Sequence, residues 1–156
     1  MVNRNSRPAP VPALPDLLEN RALLAYFRER ATLPSGPKDY RLGPWQLHTH
    51  PDFCDRLSEL APRHPVEGAY GVPVLAFEGV AAVVACGMSL LLVRLPVLPE
   101  DIEPGPPLPP LTDGEWRSVD GYPQDRPGAE GRARLTALVR EALLHARDLS
   151  RNRPRY

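Results

Sequence analysis

The sequence predicts an α+β domain: a meander of about four antiparallel strands with helices packed on one face. Three observations carry that reading. Residues 70–96, YGVPVLAFEGVAAVVACGMSLLLVRLP, are the most apolar part of the chain. Glu78-Gly79 and Cys86-Gly87-Met88-Ser89 divide them into Val- and Leu-rich runs of strand length rather than helix length. Segments on either side carry apolar residues at helical spacing, which need a common surface to cover.

Residues 1–15 are proline-rich and read as a disordered or extended tail, with the domain proper at 16–149 and a basic tail at 150–156. A first helix is expected from Asp16, as cap, to about Arg30, with Leu17, Leu24 and Phe27 on its apolar stripe. Tyr40–Leu47 reads as a short extended segment anchored by Trp45. A second helix over 52–61 is well punctuated. Thr49 or His50 serves as N-cap, Pro51 and Asp52 suit the first turn, and Phe53, Leu57 and Leu60 share a face. Strands follow near 72–78, 80–86 and 89–95, joined by tight hairpins, and a fourth is expected at Glu115–Val119. Between them, residues 96–114 contain seven prolines and read as an irregular connection. The last helix, about 129–149, presents Leu135, Leu138, Val139, Ala142, Leu143 and Ala146 as one face.

A membrane span is the reading to reject for the apolar stretch. Gly79–Val93 is fifteen residues without a charge, whereas a helix crossing the bilayer needs about 20. The start, MVNRNSRPAPVPALP, has no apolar core of a signal peptide, so a cytoplasmic protein with Cys54 and Cys86 reduced is expected. No membrane partner and no cofactor are expected.

Net charge is zero but unevenly spread. Residues 1–50 carry seven basic and four acidic side chains, 51–128 five and twelve, and 129–156 seven and three. The acidic centre is a poor surface for a polyanion, because such binding depends on Lys and Arg neutralising phosphates. Contact with nucleic acid, if made, is expected through Arg147, Arg151, Arg153 and Arg155. Tyr70, Trp116 and Tyr122 are the aromatics to weigh as stacking or partner-binding residues against core or hairpin anchoring.

One segment invites a metal reading: His48-Thr49-His50-Pro51-Asp52, two imidazoles at i, i+2 with a carboxylate beside them. His-x-His-Pro resembles the start of the zinc site of JAMM-type metallopeptidases. Ser58 sits at the matching serine position, while Ala61 occupies that of the aspartate ligand. A zinc-dependent hydrolase through His48, His50 and Asp52 is therefore the alternative to a protein without catalytic chemistry, in which His50 is a helix cap.

Residues 53–149 as an ordered pattern resemble the family of YjbR (MmcQ) and TfoX N-terminal domains. The carriers are a short helix Phe53–Leu60, the Tyr70-Gly71 step, three strands separated by Glu78-Gly79 and Gly87–Ser89, Leu95-Pro96, the Trp116 strand and the C-terminal helix. The resemblance implies a fold similar to type III secretion chaperones and no catalytic residues. It also implies an interaction module whose partner is a protein or nucleic acid, DNA binding being suggested for parts of the family. The oligomeric state is not legible.

Overall fold

The computed structural model describes residues 13–31, 49–123 and 128–152. Among these residues a 3-10 turn at Leu18–Asn20 leads into α1 (Arg21–Ala31). Next come α2 (Pro51–Leu60), β1 (Val66–Ala69), β2 (Val72–Phe77), β3 (Val80–Cys86) and β4 (Leu90–Arg94). A 3-10 turn at Leu111–Asp113 precedes β5 (Trp116–Asp120) and α3 (Gly128–Arg151). The strands form one open antiparallel sheet in the order β1-β2-β3-β4-β5, so the chain is an α+β meander with helices packed against it. No described helix is long and apolar enough to cross a membrane.

Two hairpins close through two-residue turns with left-handed backbone. Tyr70 and Gly71 have φ of 52° and 88°, and Glu78 and Gly79 have φ of 49° and 84°. Turns of this mirror-image kind match the twist of the flanking strands and favour glycine at the second position. Gly79 has a second reason to be glycine. A Cβ there would lie 3.0 Å from Pro15 Cγ and 3.2 Å from Leu17 Cδ1, so the N-terminal segment rests directly on this turn.

The sheet is covered on both sides. On one, α2 and α3 bury Phe53, Leu57, Leu138, Val139 and Ala142 against Leu75, Val83, Leu91, Val93 and Val119. On the other, Leu14, Leu23, Phe27 and Leu111 cover Val74, Ala81, Val84, Leu92 and Trp116. An irregularity in β3 adjusts which residues face which layer. Leu75 pairs with Val83 but Ala76 pairs with Ala81, leaving Ala82 as an extra residue opposite the step. Val80, Ala82, Val83 and Ala85 consequently all face α3, while Ala81, Val84 and Cys86 face α1. Every residue of β3 is buried, which requires the unbroken apolar run VAAVVAC.

The expected elements from Val72 onward lie within a few residues of their predicted limits. Three features differ at the front. β1 adds a fifth strand, created by pairing Val66–Ala69 with Val72–Leu75. The first helix starts later than Asp16, and Leu17 rather than Asp16 holds the capping position of the short 3-10 turn, with no side-chain cap. The cause is a tight turn in which Leu17 N–H donates to Pro15 O at 2.9 Å, leaving Asp16 beside Arg21 at 4.0 Å. Finally, α1 lies across the sheet from α2 and α3 rather than sharing their face, because its Leu23 and Phe27 cover Val74 and Val84. Ala13–Pro15 are packed: Leu14 is buried and its N–H donates to Gly68 O at 2.9 Å. The segment predicted at Tyr40–Leu47 lies outside the described residues.

Candidate functional site

Three segments distant in sequence meet at the tip of the β3–β4 hairpin. The chain entering α2 is fastened there first. His50 N–H donates to Gly87 O at 2.8 Å, and Thr49 Oγ1 donates to Ala85 O at 2.7 Å. The chain leaving β5 arrives from the other side, with Gly121 N–H donating to Ser89 O at 2.6 Å. Gly121 must lack a side chain, since a Cβ would stand 2.4 Å from the Phe53 ring and 3.0 Å from Ser89 O. That close approach brings Tyr122 against Phe53, with ring centroids 5.6 Å apart.

Polar side chains at this tip serve the backbone. His50 Nδ1 accepts from Asp52 N–H at 3.1 Å, which caps α2 as the sequence predicts. Asp120 Oδ1 accepts from Tyr122 N–H at 2.8 Å. Arg56 donates through Nε to Gly121 O at 3.2 Å and lies over the Tyr122 ring, 4.9 Å from its centroid. Burial pushes the Tyr122 phenol above its ordinary pKa. Arg56 opposes that shift, while the carboxylates Asp52, Glu59 and Asp55 reinforce it.

Two clefts open on either side of this tip. One, of about 510 Å³, is lined by His50, Asp52, Phe53, Met88, Ser89, Asp120 and Tyr122. The other, of about 560 Å³, lies toward the start of α3 between Leu90, Val119 and Leu135 on its floor and Asp101, Glu103 and Arg134 around it. Ser89 and Asp120 line both, so the clefts adjoin as one trough around the hairpin tip. Arg134 pairs with Asp101. Among the described residues no cation pairs with Glu103 or Asp120.

The residues singled out by sequence do not gather at one place. His50 and Asp52 line the first cleft, with Nδ1 3.9 Å from Asp52 Oδ2, while His48 lies outside the described residues. Among those residues no three His, Cys, Asp or Glu groups come together as metal ligands. Trp116 is 2 % exposed, with the Arg94 guanidinium 4.8 Å from its ring centroid, so it occupies the anchoring role weighed for it. Tyr70 is exposed and lines a separate groove of about 590 Å³ with Arg21, Leu24 and Arg28. Arg151 is exposed, and Arg147 Nε lies 3.6 Å from Asp148. They sit toward the far end of α3 from Gly131 and Arg134, about 20–30 Å away along the axis. Arg153 and Arg155 lie outside the described residues.

Sequence reasoning passed over Ser89 and Asp120, the residues that join the two clefts. A glycine directly after each of two strands, Gly87 and Gly121, is the signal that marks where chain segments approach closely. No protein-family model matches this chain, and neither a curated protein nor a solved structure matches it.

Proposed function

We propose that this chain is a non-enzymatic interaction module of the cytoplasm that binds a protein partner through the trough at the β3–β4 tip. One observation carries the reading. Two of the groups there also bond the backbone, His50 Nδ1 as the cap of α2 and Asp120 Oδ1 to Tyr122 N–H. What lines the trough is a floor of the buried side chains Leu90, Val119 and Leu135, with Glu103, Asp120 and Met88 exposed around it. Such a surface suits recognition, with apolar contact for affinity and charge for selectivity. The likeness to YjbR and TfoX N-terminal domains supports the same reading, since it brings no catalytic residues with it.

Nucleic acid is the second reading, favoured by exposed Arg151 beyond the apolar face of α3 and the basic excess of residues 129–156. It predicts binding that weakens steeply with salt, and a weaker binding with a flatter salt slope on removing residues 150–156. The zinc-hydrolase alternative makes the most decisive test. Purified protein is equilibrated with zinc, freed of excess and analysed for metal. The module reading expects no stoichiometric zinc. One zinc per chain, lost in His50→Ala and accompanied by peptide hydrolysis, would overturn it.

A further inference from the structure

The two adjoining clefts differ in what they offer, and that difference specifies an occupant. The α3 side has a floor of Leu90, Val119 and Leu135, with Ile102 beside them. Its carboxylates are unevenly matched: Arg134 neutralises Asp101, whereas Glu103 and Asp120 stand exposed without a cationic partner among the described residues. Across the ridge formed by Ser89 and Asp120, the second hollow adds Asp52 beside Phe53, Met88 and Tyr122. Of the described charged side chains that line the trough, Asp52, Asp101, Glu103 and Asp120 are acidic and Arg134, paired with Asp101, is basic, with Arg56 behind the Tyr122 ring. A cation gains from the exposed carboxylates Glu103 and Asp120.

Size and shape narrow the class further. Two hollows separated by one ridge match an extended chain better than a compact metabolite, because alternate side chains of an extended segment project to the same side about 7 Å apart. From this geometry we infer that the trough receives an extended basic polypeptide segment of a partner. A Lys or Arg of that segment is held between Glu103 and Asp120, and an apolar neighbour rests on Ile102, Pro104 and Pro106 at the rim above Leu90, Val119 and Leu135. This inference rests on the interaction-module reading and names the chemistry of its partner.

The test uses the full chain and two fluorescent nine-residue peptides, one alternating Arg and Leu, the other Glu and Leu, followed by fluorescence polarisation. The Arg peptide is expected to bind and to weaken as salt is raised, and the Glu peptide is expected not to bind. The double variant Glu103→Gln, Asp120→Asn keeps the side-chain shapes and is expected to weaken binding about tenfold. Asp113→Asn with Glu141→Gln removes the same charge elsewhere on the surface and is expected to change it less than about twofold. Equal losses from both double variants would show a general charge effect and overturn the inference, as would equal binding of the Glu peptide. Amide shifts upon adding the Arg peptide separate this inference from the reading beneath it. Shifts confined to another surface would sink the trough while leaving an interaction module. Stoichiometric zinc with hydrolysis would sink the module itself.

Discussion

The two faces of the sheet are closed by different means. The α3 face is covered chiefly by one helix of 24 residues that satisfies its own backbone, so its buried contacts with the sheet are apolar, and Ser150 Oγ donates to Glu78 Oε2 at 2.9 Å at the exposed edge. The α1 face is closed by a short helix, two 3-10 turns and the proline-rich connection, whose irregular backbone leaves carbonyls and N–H groups seeking partners. The buried polar side chains among the described residues are Asn20, Arg94 and Ser118, and all three serve this second closure. Asn20 donates to Pro15 O and Gly79 O and accepts from Ala81 N–H, tying the entering segment to the β2–β3 turn. Arg94 donates to Ala81 O and to Glu19 O. Ser118 donates to Pro106 O, while Gly105 N–H returns a bond to Ser118 O at 2.7 Å. A regular element needs only a matching apolar face. An irregular cover needs polar pegs as well.

If the comparison holds, the α3 face breaks by cavity formation and the α1 face by orphaned polar groups. Leu138→Ala removes a side chain buried beneath α3, and chemical unfolding should show a loss of about 4 kcal/mol. Asn20→Ala removes little volume but strands Gly79 O and Ala81 N–H, so a loss of about 3 kcal/mol is expected. A loss below that of an ordinary surface substitution would mean the N-terminal segment is held by apolar contact alone.

Arg94 tests the same idea with a charge. Burial lowers its pKa, opposed by Glu115 and Glu19, and its Nε lies 3.5 Å from the exposed carboxylate of Glu115. Arg94→Ala should cost about 2–3 kcal/mol through lost packing on Trp116 and bare carbonyls. Arg94→Met should cost less, because it restores the apolar stem; equal losses would place the whole effect in the guanidinium.

The smallest effect concerns Glu67 on β1. Its Oε2 is buried without a hydrogen-bond partner, and burial raises its pKa above the ordinary 4.5. A carboxyl whose pKa rises on folding favours the folded state while protonated, and that contribution is lost as pH rises through the folded pKa. Glu67→Gln should therefore be more stable than the parent at neutral pH, with the gap closing as pH falls through the titration of Glu67. A gap independent of pH would show that the carboxylate is solvated in the folded protein.

The sequence alone determined much of the α3 face. Leu135 to Ala146 recur at helical spacing, and Glu78-Gly79 and Gly87–Ser89 set the hairpins, because periodicity and turn chemistry are local properties. Helices are expected from the sequence on one face only, yet the run VAAVVAC, apolar without alternation, is covered on both. Which element covers its second side was settled only by tertiary packing, since the stripe of Leu23 and Phe27 shows that α1 must be buried but not against which face. β1 exists by the same kind of decision: Val66-Glu67-Gly68-Ala69 has weak strand preference and becomes a strand by pairing with β2. The trough is tertiary throughout. Asp52, Ser89, Glu103 and Asp120 belong to separate segments, and only the close approach of Gly121 to Phe53 and Ser89 brings their surroundings together. Local spacing along a chain records the elements; which distant side chains line one trough is recorded only in how those elements pack.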